Sequence, residues 1–199
     1  MTQVKRIVVG INENRLSQVL YGDTDNIQEK PGVFWRSTLW GVEELPVDNS
    51  VGGDRGNKLV SREPEKPGVI FRAVEIPPNP ADRDAHVRSV QALHKDVKQK
   101  YPPTQVDLAR HPSMHRTDTL DMFVIARGEI YLVSDCDETL LRQGDTAVVK
   151  GVNHAWDNRS AEPCLIVGVM VSARPLPSEV YSGTDGSRDV SPSGEEVPA

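Results

Sequence analysis

The sequence predicts an all-β protein, a single antiparallel barrel with an N-terminal strand extension and one helix. Three observations carry that expectation. From His115 onward an extended chain would put His115, Thr117, Thr119, Asp121, Phe123 and Ile125 on one face and Leu120, Met122 and Val124 on the other, so both faces look built for burial. The run CLIVGVMVS, Cys164–Ser172, is apolar enough for a strand covered on both sides. A chain of 199 residues without an internal repeat has room for one barrel and its extensions, not for two barrels.

Taken in order, residues 4–11 read as a strand, and the polar turn INENRLS leads to another over 18–21, an added hairpin. The next strand candidate, residues 33–42, places Phe34, Arg36, Thr38 and Trp40 on one face and Trp35, Ser37 and Leu39 on the other. The tryptophans on the two faces read first as core and interface packing, with Trp40 or Trp35 as an apolar wall of a ligand cavity as the functional alternative. Residues 46–67 are polar and rich in Gly and Pro, a long surface loop. VIFRAVEI, Val69–Ile76, alternates as a strand. Val87, Val90, Leu93 and Val97 then form a stripe that predicts a helix over 84–100, flanked by His86 and His94 as surface or boundary residues. Residues 139–141 and 146–149 continue the barrel and 164–172 closes it, whereas 181–199 hold too few hydrophobes to order themselves. The division is an extension and loop at 1–68, a barrel at 69–175 and a tail at 176–199.

A His and an Asp on a covered strand face need partners, because burying an unpaired charge is costly or shifts its pKa. The segment GVNHAWDN brings His154 from another strand toward His115, Thr117 and Asp121, with Trp156 on the face of His154. The pattern His115-x-Thr117-x3-Asp121-x6-Gly128, followed by Gly144 and Gly151-x2-His154-x3-Asn158, resembles the cupin family. Its two motifs read G-x5-H-x-H-x3,4-E-x6-G and G-x5-P-x-G-x2-H-x3-N. The departures are Thr117 for the second His, Asp121 for Glu, Val149 at the Pro position and one residue fewer after Gly144. MHRTDTLD, a GE turn, a GD turn and GVNHAWDN are similar to a group of small cupin-domain proteins with an N-terminal extension, found near metabolite pathways. The resemblance, good over 69–173, implies a jelly-roll barrel. It does not choose a reaction, since cupins include dioxygenases, decarboxylases, isomerases, cyclases and simple binders.

Three chemical readings follow. Two His and one carboxylate form the facial triad of Fe(II) sites, so His115, Asp121 and His154 would be the ligands if Fe, Mn or Zn is bound. Thr117 counts against this, and His111, four residues before His115, lies ~13 Å away along a regular strand unless Pro112 makes a bulge. The second reading, metal-free acid-base catalysis, has His115 or His154 move a proton while Asp121 orients the imidazole and raises its basicity. Thr117, Phe123, Trp156 and Trp40 then shape the substrate pocket. The third is binding without chemistry, the His and Asp satisfying each other. The expectation is the second reading, an enzyme that dehydrates, isomerises, cyclises or decarboxylates a small cyclic or polyketide-like metabolite without a cofactor. Losing a motif histidine to Thr117 weakens metal affinity more than it weakens a His–Asp pair.

Bulk properties narrow the partners. Twenty-three basic against twenty-nine acidic residues give a net charge of −6, and no basic run is present, which argues against nucleic acid. No apolar run reaches membrane-span length and the N-terminus lacks the regions of a signal peptide, so a cytoplasmic location without membrane contact is expected. Cys136 and Cys164 suit reduced thiols. The apolar outer face at Leu120, Met122 and Val124 leads to the expectation of a homodimer.

Overall fold

The computed structural model describes residues 4–22, 27–30, 33–56, 62–64, 67–97, 99–101 and 103–184. Its strands are β1 (Val8–Ile11), β2 (Ser17–Tyr21), β3 (Ile27–Lys30), β4 (Phe34–Val42), β5 (Val69–Ile76), β6 (Thr119–Arg127), β7 (Glu129–Val133), β8 (Glu138–Arg142), β9 (Thr146–Lys150), β10 (Ala155–Asp157) and β11 (Cys164–Ser172). Helices α1 (Arg83–Asp96) and α2 (Gln105–Arg110) interrupt them between β5 and β6. Strands β1 and β2 pair only with each other, whereas β3-β4-β5-β11-β6-β9 form one sheet and β10-β7-β8 a second. Every pairing is antiparallel. From β6 to β11 the chain passes back and forth between the two larger sheets, the jelly-roll path that the resemblance implies. The first crossing turns at Gly128, whose φ of 79° and closeness to the Pro163 carbonyl exclude a side chain.

The alternation read from the sequence sets the two faces. Inward-facing Ile125 and Ile166 pack with Ile130 and Cys164, and with Phe123, Leu141 and Trp156 around them, in a cluster shared by both sheets. Outside, Trp35, Leu39, Ala73 and Leu165 are covered by Val4 of the N-terminal segment. The rest of that outer face stays open, with Met122 42% and Val148 62% exposed.

Four local expectations change. The helix is shorter, beginning after an Asp82 cap that accepts from Ala85 N–H and ending at Val97. Helix α2, held by a Thr104–Asp107 capping box, and strand β3 were not anticipated. Strand β6 begins only at Thr119, so His115 lies ahead of it in an isolated bridge to His154. Strand β4 slips by one residue between Thr38 and Trp40, where its partners on β5 run from Arg72 to Phe71. That bulge turns Trp40 to the outer face beside Phe71 and takes it off the face of Phe34 and Arg36.

Of the segment expected to be unordered, Tyr181 lies within the described residues: its hydroxyl accepts from Asn153 N–H at 2.9 Å and donates to Asp135 at 2.7 Å. Residues 185–199 fall outside them, as do parts of the loop at 46–67.

Gly168 on β11 is where the Phe123 ring lies over the neighbouring strand. A Cβ there would collide with Phe123 Cδ1 and with the Met122 carbonyl oxygen, which a side-chain rotation cannot relieve. Gly168→Ala should therefore destabilise the barrel by about 1–3 kcal/mol, read by thermal or urea unfolding. Gly52→Ala, which meets nothing within 4 Å, is the neutral control.

Candidate functional site

His115 and His154 face each other where the two sheets meet. Each backbone N–H donates to the other's carbonyl at 2.9 Å, and the ring centroids are 4.4 Å apart. His115 Nδ1 lies 2.8 Å from Ser113 O and His154 Nδ1 3.0 Å from Val152 O. A carbonyl only accepts, so both Nδ1 atoms carry hydrogen and Nε2 keeps its lone pair on each ring. Burial, with the nearby Arg62 charge, pushes His154 down to about 4 and His115 well below its ordinary value. Both imidazoles are neutral at neutral pH.

Asp121 projects from the inner face of β6. Burial raises its carboxyl to about 6, against the opposing pull of a hydrogen bond from Thr119 and the charge of Arg72. Among the described residues Oδ1 has no hydrogen-bond partner. Thr117 is 1% exposed and does not line the cavity; its hydroxyl meets Thr119 Oγ1 at 2.6 Å, so Thr117 steadies the residue that holds Asp121. Among the described residues no hydrogen bond joins Asp121 to either imidazole. The orienting role assigned to Asp121 from sequence belongs to the carbonyls of Ser113 and Val152.

These groups open into a cavity whose mouth faces solvent. Phe123 and Trp156 line it as expected, their rings edge to face at 5.7 Å. Trp40 does not, because of the bulge in β4. His111 is also elsewhere, with Nε2 3.4 Å from Asp157 and Nδ1 2.8 Å from the Ser113 hydroxyl.

Sequence reasoning missed two groups of lining residues. Helix α1 covers the cavity with His86, Val90, Leu93, His94 and Val97, a stripe at helical spacing that places both histidines on the buried side. His94, read as a boundary residue, is 5% exposed, and among the described residues neither ring nitrogen has a hydrogen-bond partner. The signal was present in the 86-90-94-97 spacing. Arg36, Arg62 and Arg72 also line the cavity, Arg36 and Arg72 from adjacent strands of the large sheet. Alternation places Arg36 on one strand face with Phe34 and Thr38 but gives it no role, and nothing in the pattern singles out Arg62 or Arg72.

His115 and His154 offer two nitrogens, yet among the described residues no three His, Cys, Asp or Glu side chains converge as ligands. Asp121 therefore does not complete a three-ligand site with them. No helix among the described residues is long and apolar enough to cross a membrane.

No protein-family model matches the chain. Phomopsin biosynthesis cluster protein C' of Diaporthe leptostromiformis is 40% identical over 87 residues, 41% of this chain and 46% of that protein. Oryzines biosynthesis cluster protein J of Aspergillus oryzae is 33% identical over 95 residues, 42% and 51% of the two chains. The chain thus spans about half the length of the curated relatives that it matches. Among solved structures it is similar to the Cnp3 cupin domain of Schizosaccharomyces pombe, with a TM-score of 0.43 and 11% identity over 86% of this chain and 89% of that one. KdgF from a Halomonas species gives 0.40 and 9% over 75% and 89%. At these scores the fold rests on the strand order of the chain itself.

The elevated Asp121 pKa makes a signed prediction. The folded state holds the proton more tightly than the unfolded chain, so ionising Asp121 costs stability as pH rises from 3.8, and the cost levels off above about 6. Asp121→Asn removes that cost. The unfolding free energy of the variant should exceed that of the parent by on the order of 2 kcal/mol above pH 6 and match it below pH 4.

Proposed function

We propose that this cupin-fold barrel is an enzyme of small-molecule biosynthesis that moves a proton on a small metabolite without redox chemistry. One observation carries the reading. Two neutral imidazoles with Nδ1 fixed on carbonyls, and a carboxyl with one partnerless oxygen, share a cavity with two aromatic rings. The biosynthesis-cluster relatives support the metabolic setting.

Asp121 is a stronger base than His154, since burial raises its carboxyl to about 6 and lowers the imidazole to about 4. In the proposed step a proton passes from a substrate carbon to Asp121 Oδ1, and the C–H electron pair delocalises onto an adjacent carbonyl oxygen. Where the substrate carries a β,γ double bond, return of that proton at the γ carbon of the dienolate completes an isomerisation. Departure of a β-hydroxyl group, leaving with the proton as water, completes a dehydration. His115 and His154 accept hydrogen bonds from substrate hydroxyls at Nε2, and the Phe123 and Trp156 rings hold a cyclic body in place. The reaction is proposed to need no metal.

A screen of hydroxy-carbonyl metabolites scored for product should find turnover, which Asp121→Asn lowers by about 10²–10⁴-fold. His115→Ala and His154→Ala should also lower it while leaving the far-ultraviolet circular dichroism unchanged. Full activity in all three would move the site elsewhere. The paired Nε2 lone pairs favour one second reading, a metal-dependent oxygenase. Stoichiometric iron, manganese or zinc in protein purified without chelator, lost from both histidine variants, would replace the metal-free mechanism with that one.

The outer face is proposed as the meeting surface of two copies. Val148, Met122, Val169 and Phe71 form one cross-strand row over four strands, and the β1–β2 hairpin exposes Val9, Ile11 and Val19. A self-complementary apolar patch packs on its own copy about a two-fold axis, and a lone hairpin is marginal in water. Light scattering should give twice the 22.0 kDa chain mass, and Val148→Glu with Met122→Lys should return it to one.

A further inference from the structure

We propose that the cavity takes a ring compound with hydroxyl groups on two neighbouring atoms, one donating to His115 Nε2 and the other to His154 Nε2, with His94 as a third contact. This rests on reading the cavity as a small-molecule site, and it names the class of molecule and a residue of α1 that selects it.

The two imidazoles set the demand for two donors. The carbonyls of Ser113 and Val152 take the Nδ1 hydrogens, so Nε2, across each ring, is left as an acceptor. Among the described residues neither Nε2 is claimed by another group. Burial keeps both rings neutral, so neither can donate from Nε2. A single hydroxyl carries one hydrogen and satisfies one lone pair. The ring centroids are 4.4 Å apart, close enough for oxygens on adjacent ring atoms to reach one lone pair each.

The polar atoms without a partner among the described residues of the wall also lean toward acceptors. Asp121 Oδ1 and the unprotonated nitrogen of His94 add to the two Nε2 lone pairs, against two donors, the other His94 nitrogen and Arg62 Nε. Arg36 and Arg72, also in the wall, have partners of their own. An acceptor-rich site suits a donor-rich ligand. An ammonium group would bring three donors, but the Arg62 charge already lowers the basicity of His94, His115 and His154 and opposes a second cation beside them. Neutral hydroxyls meet no such opposition. Phe123 and Trp156, edge to face at 5.7 Å, give the ring of the ligand an aromatic wall.

His94 stands edge-on to His115, with ring centroids 6.1 Å apart, and is 5% exposed. Burial lowers it to about 3, so it is a neutral imidazole with one nitrogen to donate and one to accept. Holding both nitrogens buried without a partner costs folding stability, and a ligand hydroxyl bound to either one offsets part of that cost.

The test is calorimetric titration of the full chain, in the presence of EDTA, with catechol, resorcinol, guaiacol and benzylamine as probes. Catechol should bind about tenfold or more tightly than guaiacol, which lacks one donor, and more tightly than resorcinol, whose hydroxyls are one atom farther apart; benzylamine should not bind. His94→Leu should weaken catechol about tenfold and raise the melting temperature, because an apolar side chain removes the partnerless nitrogens, whereas a purely structural histidine would leave affinity unchanged or lower the melting temperature. His94→Gln should restore part of the affinity, and Arg88→Gln, exposed on the same helix, should change nothing. Asp121→Asn should keep the preference for catechol while it abolishes turnover, so that ligand class and mechanism fail separately. Equal affinity for catechol and guaiacol or resorcinol, binding of benzylamine alone, no binding of any probe with EDTA present, or an unchanged catechol affinity in His94→Leu would each overturn the proposal.

Discussion

Two backbone hydrogen bonds hold the site together, His115 N–H to His154 O and the reverse. They join the segment before β6 to the segment before β10, and those strands belong to different sheets. Without that bridge the sheets would share a hydrophobic cluster but would not bring two imidazoles to 4.4 Å. The same backbone supplies the carbonyls of Ser113 and Val152, which fix both ring tautomers. One constraint thus sets the position, orientation and protonation of the pair. Around it, α2 is tied in through Asp107, which accepts from Asn153 at 2.8 Å just ahead of His154.

The cavity sets its own electrostatics. Burial works against every charge in it, lowering His94 to about 3 and His154 to about 4 and raising Asp121 to about 6. Arg36 is pushed down to about 10 by the same desolvation and remains a cation at neutral pH. The outcome is a division of labour by chemistry alone: guanidiniums too basic to lose their charge, imidazoles too dry to gain one, and a carboxyl poised between its two states. Such an arrangement costs folding stability, and the large apolar clusters shared between the sheets offset it.

Much of the fold was legible because strand alternation is a local property. Val69–Ile76 and Cys164–Ser172 could be bounded to the residue, since each is flanked by Gly, Pro or polar turns and neither needs a partner to be recognised. The inward set Asp121, Phe123 and Ile125 followed from the same two-residue period. Trp40 shows where the rule stops. A bulge is chosen by the fit of β4 to β5, and one inserted residue reverses every face beyond it. Thr117 shows a second limit. Its motif position suggested a cavity wall, whereas its hydroxyl was claimed by a neighbour two residues along the chain.

The sequence by itself determined most of the strands, the inner face of β6 and the approach of His115 to His154, because hydrophobic period and motif spacing are written along the chain. Only the tertiary structure decided what surrounds that pair. Arg36 and Arg72 become neighbours when β4 pairs with β5, Arg62 joins them through a carbonyl and an N–H, and His94 turns inward when α1 closes over the sheet. The physical reason is that charge in a cavity is a sum over residues brought together from distant elements, each of which reads alone as an ordinary surface residue.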